Sequence, residues 1–139
     1  MPKNILIIED TPNDIKYYQS LFIPEREVSL LFLTRDKNYT KEKLSEIVGL
    51  FYENLSSKIK DYFVHTEETI QEFLKNNPFD FYILDSLGDF AEQLVTEVNL
   101  PKEKVAFLSS TKSFRDLIQN KGYRAYKKEN INELIKNCF

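Results

Sequence analysis

Cysteine and histidine are nearly absent from this 139-residue chain, which has one of each, Cys138 and His65. A single cysteine excludes an internal disulfide and any cysteine-built zinc centre, and a single histidine excludes a histidine-rich metal site. Glycine is scarce too. Gly49, Gly88 and Gly122 are the only three, and none follows the first apolar run, so there is neither a P-loop nor a glycine-rich dinucleotide turn. No apolar stretch approaches the ~20 residues that cross a bilayer, and nothing at the start reads as a targeting segment. Charge of one sign is missing as well: 19 basic against 22 acidic residues give a net charge of −3. That balance creates no field for nucleic acid or an anionic membrane. What the chain does have is bulk for a core, with 42% hydrophobic residues including 11 Phe and 8 Tyr. These features predict one cytoplasmic domain without membrane insertion.

Periodicity sets out the elements. Asn4-Ile5-Leu6-Ile7-Ile8 is a short continuous apolar run of the kind buried on both faces of a parallel sheet. It stops at Glu9-Asp10. Thr11-Pro12 then opens a helix with Ile15, Tyr18 and Phe22 on one face. Val28 to Leu33 is a second buried strand. Leu44, Ile47, Val48, Phe51 and Leu55 mark an amphipathic helix from about Thr40 to Ile59, with Thr40 as cap and a short extended piece after it at Asp61 to Val64. Thr66 caps the next helix. Phe79 to Leu84 is a third strand ending at Asp85, and Val105 to Leu108 a fourth ending at Ser109. A helix bearing Phe114, Leu117 and Ile118 ends at Gly122, a left-handed cap. Tyr123 to Tyr126 is a weaker fifth strand, and Ile131, Leu134 and Ile135 face inward from a last helix. Strands alternating with helices imply right-handed βαβ units and a doubly wound parallel sheet. Its ligands bind outside the carboxyl ends of the strands.

Those ends carry the polar residues. With the first and third strands adjacent at the centre, Glu9, Asp10 and Asp85 converge. Like charges that close raise one another's pKa unless a cation sits among them, and a few hard oxygen ligands with room for water suit Mg²⁺. Ser109 and a lysine after the fifth strand, Lys127 with Lys128 as competitor, stand ready for negative oxygens. Together they suit phosphoryl transfer to a carboxylate, with the acids holding Mg²⁺ and one Asp attacking.

The segments ILIIEDTPND, FDFYILDSLG, VAFLSS and AYKKENINEL, in that order, resemble the receiver domain of two-component response regulators. The resemblance implies an α/β flavodoxin-like sheet of five strands in the order 2-1-3-4-5, with an extra helix inserted after strand 2 over roughly residues 35–62. It implies that Glu9 and Asp10 bind Mg²⁺ together with Asp85 and the Leu87 backbone carbonyl. Asp85 would be the phosphoacceptor, Ser109 the hydroxyl that turns inward on phosphorylation, and Lys127 the site lysine. Alignment on Tyr126 as the switch aromatic would instead put Glu129 at the lysine position. The implied activity is that of a stand-alone receiver over residues 1–139, without an output domain. It would accept a phosphoryl group from a partner histidine kinase or phosphotransfer protein and signal to a downstream target. It is no enzyme beyond its own aspartyl phosphorylation. Departures from the family are the short Ser86-Leu87-Gly88-Asp89 loop and Lys128 where the family usually has proline.

Each residue also has an ordinary reading. Asp10 serves as well as a turn former or helix cap, Ser109 as a cap, Lys127 as one more solvated lysine, and the Leu44–Leu55 stripe as a packing face. The competing function is a pseudo-receiver, the same fold acting as a protein-interaction module without phosphorylation. A haloacid-dehalogenase-type phosphatase is disfavoured, because the second Asp it requires two residues past the nucleophile is Leu87 here.

Overall fold

The computed structural model describes residues 2–51 and 53–139, apart from the side chains of Phe51 and Asp89. Six strands form one sheet: β1 (Asn4–Glu9), β2 (Glu27–Leu33), β3 (Asp61–His65), β4 (Phe81–Asp85), β5 (Val105–Leu108) and β6 (Arg124–Tyr126). Their order is β3-β2-β1-β4-β5-β6, and every neighbouring pair is parallel.

The expectation of five strands in the order 2-1-3-4-5 is therefore corrected. The five anticipated strands keep their relative order, but Asp61–His65 adds a sixth outside β2, in register from Ser29↔Asp61 to Leu33↔His65. The sequence signal for β3 is faint for a physical reason. It is an edge strand of five residues with one fully buried side chain, Tyr62, so it lacks the unbroken apolar run of a central strand. The preceding helix is also shorter than the stripe suggests. It divides into α1 (Lys41–Phe51) and α2 (Leu55–Lys58) at Asn54, whose φ of 58° is left-handed. At its start the Thr40 hydroxyl accepts the Lys43 N–H at 3.2 Å, a true side-chain cap.

Alternation along the strands divides the core in two. Ile5, Ile7, Leu30 and Ile83 face one layer, made by α1, α6 (Ile131–Cys138) and the 3₁₀ helix Pro12–Leu21. Leu6, Ile8, Leu31 and Leu84 face the other, made by α3 (Ile70–Asn76), α4 (Phe90–Val98) and α5 (Lys112–Asn120). Each of these large aliphatic side chains contributes about 1.5–3 kcal/mol on full burial.

Two helices differ from the periodicity. Pro12–Leu21 is wound as a 3₁₀ helix, so its buried side chains are Ile15, Tyr18 and Leu21, three apart, and Phe22 packs beyond its end. Thr11 stands at its N-cap without a side-chain cap bond, its hydroxyl going to Asp10 instead. In α5 the buried face is Phe114, Arg115 and Ile118, while Leu117 is exposed. Thr66 does not cap its helix directly. It forms a turn closed onto Thr69, and α3 begins at Ile70. Gly122 takes the left-handed position (φ 89°) after α5. Among the described residues no helix is long and apolar enough to cross a membrane.

Candidate functional site

β1 and β4 lie side by side, with Ile8 opposite Leu84, so the next residues, Glu9 and Asp85, leave the sheet together at its carboxyl edge. The chain after β1 turns into the 3₁₀ helix on one face of the sheet, and the chain after β4 into α4 on the other. Diverging connections open a crevice at that point. Glu9 and Asp85 are buried and Asp10 is exposed, and one carboxylate oxygen from each lies within 4.8 Å of the others.

A lysine reaches into this group, and it is Lys128. Its Nζ stands 2.7 Å from Asp85 Oδ1 and 3.6 Å from Glu9 Oε1, and it is paired with Asp14 of the 3₁₀ helix. Lys127, the first candidate from the sequence, is exposed and, among the described residues, has no partner in the site. The extended backbone at Lys127 and the 3₁₀ turn Lys128–Asn130 that follows β6 send the second lysine inward. Glu129 is exposed as well.

The acids are otherwise held by donors from their own surroundings. Glu9 Oε2 accepts the Tyr18 hydroxyl at 2.6 Å, and Oε1 accepts the Thr11 N–H at 3.2 Å. Asp85 Oδ2 accepts the Leu87 N–H at 3.2 Å. One lysine among four carboxylates leaves the negative charge under-compensated. Burial, with Asp85 beside it, pushes the Glu9 carboxyl up to about 8, against the smaller opposing pulls of Lys128 and Tyr18. The Asp85 carboxyl is raised by burial and by its hydrogen bond with Asp10. Burial pushes the Tyr18 hydroxyl up, and the Glu9 charge adds to it. For Lys128 burial works the other way, yet the Glu9, Asp14 and Asp85 carboxylates outweigh it and hold the ammonium charged.

Past Asp85 the loop turns through two successive left-handed residues, Leu87 (φ 52°) and Gly88 (φ 59°). A leucine in that region costs about 1–2 kcal/mol, and its side chain is held there by burial in the second core layer. The turn aims the Leu87 N–H at Asp85. The Leu87 carbonyl, expected from the resemblance to face a metal, accepts the Phe90 N–H.

Ser109 is buried at the end of β5. Its hydroxyl accepts the Thr111 N–H at 3.1 Å, its carbonyl accepts the buried Arg115 guanidinium at 2.8 Å, and its N–H reaches the Tyr126 carbonyl at 3.0 Å. The Tyr126 ring packs in the first core layer, where its hydroxyl meets Asn137 and the Cys138 sulfur, whereas Ala125 faces the second. The link between Ser109 and Tyr126 is thus a backbone hydrogen bond.

Three partners escaped the sequence reading: Tyr18 was placed only on an apolar face, and Asp14 and Arg115 were given no part in the site. Only Arg115, flanked by Phe114 and near Ile118, carried a signal that it shares their face. A cleft of about 380 Å³ adjoins the acids, lined by Asp10, Thr34, Arg35, Glu67, Leu87 and Gly88 among others.

The donor set fits a hard divalent cation. Three carboxylate oxygens lie within 4.8 Å of one another, close enough for one hard cation with oxygen ligands at ~2.1 Å to draw them together. The carboxyl pKa values are raised first by burial and then by neighbouring carboxylates, which a cation would offset, and Asp10 is exposed. Compared with protein-family models, with characterised proteins and with solved structures, the chain shows no significant match.

Proposed function

We propose that the protein is a phosphoacceptor signalling domain of the receiver kind, with Asp85 as the residue modified. The observation that supports this best is the convergence of Glu9, Asp10 and Asp85 at the β1/β4 crevice with Lys128 inserted 2.7 Å from Asp85. Glu9, Asp10 and Asp85 would hold Mg²⁺, which neutralises charge on the phosphoryl oxygens. An Asp85 carboxylate oxygen attacks the phosphorus of a phosphohistidine on a partner. As the O–P bond forms, the N–P bond breaks, and the imidazole nitrogen leaves with the electron pair. Transfer of this kind is mostly positioning and charge neutralisation, which the strand ends supply by their rigidity. Lys128 stabilises the charge that accumulates beside Asp85, and Tyr18 and Thr11 fix Glu9. The added ~−1.5 to −2 charges next to Ser109 would compete for its hydroxyl, now held by Thr111, and so bias the start of α5. The downstream target would read that surface.

A second reading, an interaction module without phosphorylation, draws on a specific observation. Both Asp85 oxygens already have donors within the chain, Lys128 and the Leu87 N–H. Intact mass after incubation with Mg²⁺ and acetyl phosphate separates the two. Gain of one phosphoryl group, lost in Asp85→Asn, supports the first. An unmodified mass alongside binding of a protein partner supports the second.

A further inference from the structure

Besides Lys128, one cation stands at the mouth of the site, and the sequence reading passed over it. Arg35 follows β2 and lines the cleft next to Asp10. Its Nη2 lies 4.0 Å from where a β-carbon on Gly88 would stand, which sets the guanidinium beside the loop that follows Asp85. Asp10 and Glu67 line the same cleft, yet among the described residues Arg35 has neither a hydrogen-bond nor an ion-pair partner. Lys128 is the opposite case, committed to three carboxylates on the side of the 3₁₀ helix. The neighbouring Thr34 hydroxyl is engaged with Asp36.

A phosphoryl group brought to Asp85 past Asp10 and Leu87, which line this cleft, carries oxygens that need donors, and the surrounding acids repel it. A guanidinium presents two parallel N–H groups matched to two such oxygens, and it stays charged at any working pH. We propose that Arg35 binds the phosphoryl oxygens of the donor, a small acyl phosphate or a phosphorylated imidazole, and orients it for attack by Asp85. The proposal rests on the phosphoacceptor reading of the site. In the reaction tested, an Asp85 oxygen bonds to the phosphorus of acetyl phosphate while the bond from phosphorus to the acyl oxygen breaks, and acetate leaves with the electron pair.

The test measures the initial rate of phosphorylation of the full chain against acetyl phosphate concentration at saturating Mg²⁺, by intact mass. Calorimetric titration gives Mg²⁺ affinity separately. Arg35 is exposed, so its replacements fold. Arg35→Gln should raise the half-saturating acetyl phosphate concentration about tenfold or more, the worth of a charge-assisted pair. Mg²⁺ affinity should be unchanged or tighter, because a like charge has gone. Arg35→Lys should recover part of the loss. If wild type is phosphorylated and Arg35→Gln keeps the same concentration dependence, this proposal falls and the phosphoacceptor reading stands. Slower phosphorylation with weakened Mg²⁺ binding also overturns it, since Arg35 would then act through the metal site. An unmodified wild type overturns both.

Discussion

Lys127 and Lys128 show how finely a site depends on single residues. They are adjacent and chemically identical, yet one is solvated and the other sits among Glu9, Asp14 and Asp85. Removing the buried member leaves Glu9, Asp14 and Asp85 without the ammonium they share. Lys128→Ala should cost about 3–5 kcal/mol, the usual penalty for an uncompensated buried charge. Lys127→Ala should stay within about 0.5 kcal/mol, as an ordinary surface change. Urea unfolding of the two variants side by side measures this, and equal midpoints would refute the placement. At this scale the sequence was legible for acids and opaque for their partners. Glu9, Asp10 and Asp85 announce themselves by ending apolar strands, where a carboxylate is costly without a cation or donor. The choice between two neighbouring lysines depends on where a three-residue strand stops, and no pattern marks that boundary. Tyr18 was invisible as a ligand of Glu9 because its ring satisfies the apolar stripe whatever its hydroxyl does.

The 3₁₀ helix shows the same limit for an element. Ile15, Tyr18 and Phe22 fit an α-helical stripe on paper, whereas the chain buries Ile15, Tyr18 and Leu21. Tighter winding brings residues three apart into line, and this sets Tyr18 over Glu9 and Asp14 beside Lys128. The helix thereby does for the site what its packing alone would not require. Tyr18→Phe keeps the ring and removes the donor from a buried carboxyl, so it should destabilise the protein by about 1–3 kcal/mol. Because that hydrogen bond pulls the Glu9 carboxyl down, its loss should push the Glu9 pKa above its present value of about 8. Thermal unfolding and carboxyl-carbon NMR titration read the two effects. An unaltered Glu9 titration would show that the hydroxyl does not matter there. The inserted segment was half legible: Thr40 and the Leu44–Val48 stripe mark α1 clearly. β3 pairs at the sheet edge through backbone hydrogen bonds that any sequence makes, and its single buried Tyr62 leaves almost no trace.

For the whole molecule, the parallel sheet and its two core layers followed from alternating buried strands and helices, and that topology alone determined which edge to inspect. The consequence reaches global stability. Without a cation, folded Glu9 holds its proton until about pH 8, whereas the unfolded chain releases it near the ordinary value of 4.5. Asp85 is shifted in the same direction. Between these limits the folded state binds more protons than the unfolded one, so stability falls as pH rises, by about 1.4 kcal/mol per pH unit for each such proton. Lys128 adds no slope in this window, since it stays charged in both states. On the proposed reading, a divalent cation bound there should replace the protons and reverse the trend, with a stabilisation of about 2.7 kcal/mol at a hundred times its dissociation constant. The measurement is thermal unfolding at pH 5, 6.5 and 8, each in a chelator and in millimolar Mg²⁺. In the chelator Tm should fall steadily from pH 5 to pH 8. The gap opened by Mg²⁺ should be smallest at pH 5 and widest at pH 8, and Asp85→Asn should close most of it. A flat Tm in the chelator would mean that the buried carboxyls are not proton-loaded. A gap that ignores pH would remove Glu9 from the ligands, because its deprotonation is what couples the two.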